Sequence, residues 1–119
     1  EKAELRDDTV QVWVDACERG GWKSWSDVAS IPFTLLAGTR GIGLVEHTLV
    51  VTAGAFALAK AQEEAYSSLP YPIDYDRLVA GGLLHDVGKL LEIERDGRGG
   101  YRKSHSGRCA RHRKRKSYS

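Results

Sequence analysis

The segment from residue 42 to residue 66 constrains the fold most, because it is rich in alanine and leucine and contains no proline. Such a composition favours one long helix. The residues predicted to form its buried face recur at helical spacing: Leu44, His47, Val51, Gly54, Ala55 and Leu58. His47 is therefore expected to point into the interior of the protein.

Two shorter helices are predicted before this segment. Residues 7–9 offer N-caps for a helix of about three turns, and the glycines at residues 20–21 are placed to end it. Residues 22–27 have the pattern of a short capped helix that ends near Pro32. The N-terminal part of the chain is thus expected to be helical.

One more helix and a small hairpin are predicted after the long segment. Asp74 is expected to cap a helix that runs to about Asp86. Strands at residues 90–94 and 101–103 flank a glycine-rich turn and predict a hairpin. The predicted fold class is all-α, with this β-hairpin as the one small sheet.

His85 and Asp86 end a helix that is apolar nearly all round. A carboxylate in such surroundings costs several kcal/mol unless a cation or hydrogen bonds compensate it. Gly81 and Gly82 weaken this helix but let it approach the long one closely, which is expected to bring His47 toward the pair. Two imidazoles and one carboxylate suit a divalent transition metal.

Less specific interpretations exist for each of these residues. A lone His47 on an apolar face fits a hydrogen-bonded core histidine, His85-Asp86 alone fits a C-terminal helix cap, and Lys89 alone fits a surface lysine. The complete string His-Asp-x-Gly-Lys at residues 85–89 is rare by background composition. That rarity favours a functional site.

Two motifs carry a resemblance to a known family. Residues 41–49 resemble the helix start "GGLxEHT" of many HD-superfamily proteins, and residues 83–90 resemble that superfamily's defining "LLHDxGK" motif. The resemblance covers about residues 25–112. It implies an HD-domain-like helical bundle over residues 1–112, followed by a basic tail at residues 113–119. It also implies hydrolysis of phosphomonoesters or phosphodiesters, with a small, nucleotide-type phosphorylated substrate.

The resemblance assigns roles to individual residues. His47, His85 and Asp86 correspond to metal ligands, and His112 is a further candidate because residues 107–112 resemble the family's "GxLxxH" segment. Asp86 and Lys89 are the predicted catalytic residues, since Asp86 bridges two ions in two-metal members and Lys89 would support the site electrostatically or hold a phosphate oxygen. The expected cofactor is a divalent ion: Mn, Fe, Zn, Ni, Co or Mg.

The chain departs from the family pattern after the hairpin. The family's pattern closes with an Asp on a later helix, whereas Asp96, the last Asp here, belongs to the predicted turn. A truncated or shifted reading frame is the favoured interpretation. Helices left uncovered by the missing part predict a homodimer. A nucleic-acid-binding arm and a merely solvated tail are the other interpretations of residues 113–119.

The net charge of +2 hides an asymmetry. Residues 1–101 hold all 16 acidic and 10 of the 18 basic residues, a net charge of −6, whereas residues 102–119 hold the other 8 basic residues and no acid, a net charge of +8. The basic end makes nucleic acid a candidate partner. A degenerate, non-catalytic binding module and a nucleic-acid-associated protein are therefore the alternatives to a phosphohydrolase.

The compartment is predicted from segments that the sequence lacks. No apolar run reaches the roughly 18 residues of a membrane span, and residues 1–6 contain no apolar signal core. Cys17 and Cys109 have no framework spacing and are interpreted as reduced thiols. A cytoplasmic protein without a membrane partner is expected.

Overall fold

The computed structural model describes residues 2–105 and 107–108. The elements in chain order are α1 (Lys2–Gly20), α2 (Trp25–Ala29), α3 (Leu44–Ala65), α4 (Tyr75–Leu84), α5 (Lys89–Glu92), β1 (Ile93–Arg95) and β2 (Tyr101–Lys103). The strands pair antiparallel, with Glu94 opposite Arg102. The predicted helical class with one small hairpin is thus confirmed, whereas the HD-like arrangement of the bundle stays a prediction.

The N-terminal helix is longer than predicted, because α1 begins at Lys2. The residues expected to cap it lie inside it instead. Thr9 is buried, and its hydroxyl donates a 2.8 Å hydrogen bond to the carbonyl of Leu5 one turn earlier. A threonine whose hydroxyl bonds back to its own helix is accommodated without ending that helix.

The segment after α4 also differs from its prediction. Residues 90–92 were expected in a strand but belong to α5, in which the backbone N–H groups of Leu91 and Glu92 donate to the carbonyl of Gly88. The first strand therefore starts at Ile93. Since Leu90 is fully buried, this short helix places an apolar side chain in the core where a strand residue was predicted.

Helix caps are where the sequence predicted local structure well. The carboxylate of Asp74 accepts a hydrogen bond from the backbone N–H of Arg77 at 3.2 Å, as expected for the N-cap of α4. The hydroxyl of Ser24 caps α2 by accepting from the N–H of Asp27, also at 3.2 Å. Helix α4 ends at Leu84, two residues before the predicted end.

The core lies where α1, α2, the start of α3, α5 and the hairpin meet. Its buried residues are Ala16, Trp22, Val28, Ile31, Leu44, Leu90 and Ile93. The indole N–H of Trp22 donates a 2.8 Å hydrogen bond to the carbonyl of Leu90, and the N–H of Leu44 donates to the carbonyl of Ile31 at 2.7 Å. The first bond ties Trp22 to α5, and the second fixes the first turn of α3 against the core.

Helix α3 is rotated relative to the face predicted for it. Its buried residues are Leu44, Thr48, Thr52 and Ala59. Val51 and Leu58, predicted on the buried face, are 37% and 61% exposed. The reason is local packing: Gly82 of α4 leaves room for Thr52, and the hydroxyl of Thr52 donates to the carbonyl of Thr48, so a polar residue can occupy the interface.

The outward side of α3 carries apolar residues as well. By length and composition α3 qualifies as a helix that could cross a membrane, so the expectation of a cytoplasmic protein without a membrane partner stays a prediction. A core helix of a soluble protein meets the same criterion. Leu49 and Val50 are 56% and 71% exposed, in line with the uncovered apolar surface from which a homodimer was predicted. The homodimer itself stays a prediction.

Candidate metal centre

His47 lies on the first turn of α3, one turn after the buried Leu44. Its backbone N–H donates to the carbonyl of Gly43 at 3.0 Å. The imidazole stacks on the ring of Phe33, with centroids 4.5 Å apart and planes inclined by 18°. The side chain is 29% exposed. The core and Phe33 together therefore fix both the position and the plane of this imidazole.

His85 and Asp86 follow directly after α4, in the turn that leads to α5. The Nδ1 atom of His85 lies 2.6 Å from the carbonyl oxygen of Gly82. A carbonyl can only accept, so Nδ1 carries the proton in this hydrogen bond and Nε2 of the neutral ring keeps its lone pair. The backbone of α4 thus selects the tautomer in which Nε2 can act as a ligand.

The three predicted ligands converge on one point. Oδ2 of Asp86 lies 3.1 Å from Nε2 of His85 and 3.5 Å from Nε2 of His47. The potential ligand atoms of the three residues all lie within 4.8 Å of one another. Among residues 2–105 and 107–108, His47, His85 and Asp86 thus form a group of three His and Asp side chains whose ligand atoms lie close enough together to hold one ion.

The two separations from Asp86 match the spacing of neighbouring ligands around a divalent ion. With bonds of about 2.0–2.2 Å, neighbouring ligand atoms are about 2.8–3.6 Å apart in octahedral or tetrahedral geometry. The two distances to Asp86 fall in this range. Imidazole–carboxylate hydrogen bonds have similar lengths. The two distances from Asp86 therefore fit both a bound metal ion and a hydrogen-bonded His–Asp–His cluster.

Close packing of α3 and α4 brings the ligands together. A Cβ atom at Gly82 would lie 2.5 Å from Oγ1 and 3.0 Å from Cα of Thr52. The prediction that a glycine permits this approach is therefore correct for Gly82. It is wrong for Gly81, which has open space around it. The residue of α3 that faces Gly82 is Thr52.

Sequence reasoning missed two aromatic residues that position the site. Phe33 supports His47 as described above. The indole N–H of Trp13 donates a 2.8 Å hydrogen bond to the carbonyl of Leu83, near the end of α4, and thereby ties α1 to the turn that carries His85. These contacts join residues far apart in the chain, so no local spacing could have indicated them.

The remaining predicted residues have different outcomes. Lys89 starts α5, and its backbone N–H donates to the carbonyl of Asp86 at 3.0 Å. Its ammonium lies 3.8 Å from Oε2 of Glu92, and its proposed contact with a phosphate stays a prediction. His112 lies outside the described residues, as do Cys109 and the basic tail. His105, which follows the hairpin, is exposed.

No protein-family model, no curated protein and no solved structure matches this chain. The likeness to the HD superfamily consequently rests on the two motifs, and the geometry of His47, His85 and Asp86 is an observation independent of that likeness.

Proposed function

We propose that this protein is a metal-dependent phosphohydrolase of the HD superfamily, acting on a small, nucleotide-type phosphoester. The observation that carries the proposal is the convergence of His47, His85 and Asp86 at ligand spacing. Two imidazole nitrogens and a carboxylate oxygen suit Mn, Fe, Co, Ni or Zn better than an oxygen-preferring ion such as Mg.

Phosphoester hydrolysis requires a nucleophile and neutralisation of charge at phosphorus. A divalent ion supplies both when bound, by activating water and polarising a phosphoryl oxygen. His47, His85 and Asp86 would hold this ion, and their side chains are 25–32% exposed, which leaves the group open to a substrate from solvent. Partial exposure also supports a site with coordination positions left for water and substrate.

Lys89 would bind the anionic substrate in this proposal. It lies one helical turn after Asp86 and is linked to it through the backbone hydrogen bond. Its side chain is 31% exposed, and its ammonium lies in a loose ion pair with Glu92, which costs little to break because solvent-accessible pairs contribute little stability. A phosphate could therefore replace Glu92 as the partner of Lys89.

Metal content tests the proposal first. We expect purified protein to retain about one or two transition-metal ions per chain, measured by mass spectrometry of the elements. Asp86→Asn should lose them, because a neutral amide is a poor ligand for such ions. Asp76→Asn is the matched control, since Asp76 is an exposed carboxylate that lies 4.0 Å from Lys2 and outside the cluster. Equal metal content in both variants would contradict the ligand assignment.

Hydrolysis tests the second half of the proposal. The metal-loaded protein should cleave p-nitrophenyl phosphate or bis-p-nitrophenyl phosphate, and Lys89→Ala should raise KM because a substrate contact is removed. A protein that retains metal but cleaves neither ester, nor any of a panel of nucleotides, would favour the alternative of a degenerate, non-catalytic binding module.

A further inference from the structure

A second concave site lies apart from the three metal-ligand side chains. Helices α1, α2 and α3 enclose a cleft of about 550 Å³, which we call the tryptophan cleft. Its lining includes Trp13, Trp22, Trp25, Val45, Thr48 and Leu49, so all three tryptophans of the chain take part. The volume lies in the range of about 300–1,000 Å³ that is typical of small-molecule sites.

The walls of the tryptophan cleft are held in place by hydrogen bonds to the backbone. The indole N–H of Trp13 donates a hydrogen bond to the carbonyl of Leu83, and the indole N–H of Trp22 donates one to the carbonyl of Leu90, each at 2.8 Å. The two indoles are therefore anchored, and their own donors are not offered to an occupant. Trp22 is 5% exposed, so the aromatic hydrocarbon open to an occupant belongs mainly to Trp13 and Trp25, and such a surface binds other aromatic rings well.

One polar group in the lining has no partner. Thr48 is 2% exposed, and its hydroxyl makes no hydrogen bond within the described part of the chain. By contrast, the hydroxyl of Thr52, one turn later in α3, donates a hydrogen bond to the carbonyl of Thr48. A buried hydroxyl without a partner costs free energy that an acceptor on an occupant would recover, after rotation of the threonine side chain.

The charged residues of the lining are on its outside. Glu18 and Lys23 belong to the lining, and both are exposed to solvent. A charged occupant would have to give up hydration to enter the apolar interior, where no buried countercharge lies among the lining residues. The interior therefore selects against ions and favours neutral molecules.

We propose that the tryptophan cleft binds an uncharged aromatic small molecule that carries one hydrogen-bond acceptor. The indoles supply the aromatic walls, the volume sets the size, and the hydroxyl of Thr48 supplies the one donor. The proposal does not depend on the function of the metal centre.

Fluorescence can test this directly, because the three tryptophans that line the cleft are all the tryptophans of the chain. The uncharged dye N-phenyl-1-naphthylamine should bind saturably, at one molecule per chain, with energy transfer from tryptophan to the dye. Sedimentation in the same samples gives the oligomeric state. Dye uptake that does not saturate would overturn the proposal. Self-association of the chain that excludes the dye from the cleft would overturn it as well.

Neighbouring residues of α3 provide a matched pair of variants. Leu49 lines the cleft and is 56% exposed, whereas Val50 is 71% exposed and does not belong to the lining. Leu49→Lys should weaken dye binding by about tenfold or more, because it puts a charge at an apolar wall. Val50→Lys should leave dye binding within about twofold of the original. Equal weakening by both substitutions would contradict binding in the cleft.

Thr48→Val removes the hydroxyl and keeps the shape of the side chain. In competition with the dye, 2-acetylnaphthalene carries an acceptor and 2-ethylnaphthalene does not. The variant should bind the ketone about 3- to 10-fold more weakly than the original protein, with the hydrocarbon unchanged. Circular dichroism verifies folding. Identical changes for the two competitors, or none for either, would overturn the role of Thr48.

Discussion

The two ends of helix α3 are held by different kinds of interaction. At its N-terminal end, Leu44 is fully buried and packs in a cluster with Ile31 and Leu90, which are also fully buried. At its C-terminal end, the hydroxyl of Tyr75 bonds to Glu63 at 2.7 Å, and the ammonium of Lys60 lies 4.6 Å from the Tyr75 ring. We call these two regions the core end and the polar end.

The comparison of the two ends indicates which interactions position the metal-ligand side chains. His47 follows Leu44 by three residues and therefore belongs to the core end. Buried apolar packing holds side chains in place at close-packed density, whereas exposed polar pairs contribute little and exchange with water. Accordingly, damage to the core end should change both stability and metal binding, and damage to the polar end should change neither much.

Leu90→Ala should produce the largest effect. Leu90 is fully buried at the core end, so its truncation should lower the free energy of unfolding by about 2–5 kcal/mol. Leu58→Ala is the control on the outward side of α3, where the side chain is 61% exposed, and should cost about 0.5 kcal/mol or less. Urea unfolding measures both. Similar losses in the two variants would remove the distinction on which the comparison rests.

Gly82→Ala should come next and tests the contact between α3 and α4. The added Cβ would meet Thr52 at 2.5–3.0 Å, so the helices must separate, at a cost of about 1–3 kcal/mol. Metal retention should fall as well, since Nδ1 of His85 bonds to the carbonyl of Gly82.

Gly81→Ala is the matched control for that substitution. Gly81 has open space where a Cβ would lie, so alanine should stabilise the helix by about 1 kcal/mol. The two neighbouring substitutions are thus expected to have opposite signs in thermal unfolding. Destabilisation by both would mean that the close approach at Gly82 is not what distinguishes the two positions.

Tyr75→Phe should have a smaller effect on stability, which is present below pH 10 and disappears at alkaline pH. Desolvation, the hydrogen bond to Glu63 and the nearby carboxylates of Glu63 and Glu64 raise the pKa of Tyr75 from 10.0 to about 12. A pKa raised by folding stabilises the protein below pH 10, and this stabilisation is lost as the pH rises toward 12. Absorbance of tyrosinate should therefore show a late step in the original protein that the variant lacks. A late step that survives in the variant would assign it to another tyrosine.

Asp96→Asn should have the smallest effect and concerns the hairpin next to the core end. Backbone N–H groups of Arg98 and Gly100 bond to the Asp96 carboxylate and hold its pKa below 3.8. A lowered pKa gives stabilisation that is present above pH 3.8 and lost as the pH falls through the folded-state pKa. Carboxyl NMR should show the low midpoint. The variant keeps an oxygen acceptor but lacks the carboxylate charge, so it should be slightly less stable above pH 3.8 and should lack this acid dependence.

The positions of the individual helices follow largely from the amino-acid sequence alone. The proline-free segment with many alanines and leucines predicted α3 to within two residues at its start, and Asp74 predicted the start of α4, because helix propensity and capping depend on neighbours in the chain. The motifs at residues 41–49 and 83–90 likewise singled out His47, His85 and Asp86, which the structure brings together.

The way in which these helices face one another depends on tertiary packing. Periodicity cannot fix the rotation of a helix that is apolar on several sides, so the burial of Thr52 on α3 followed from its packing on Gly82. The supports from Trp13 to Leu83 and from Phe33 to His47 join residues that are distant in the chain. Contacts of this kind form when separate elements pack, and they leave no pattern in the local sequence.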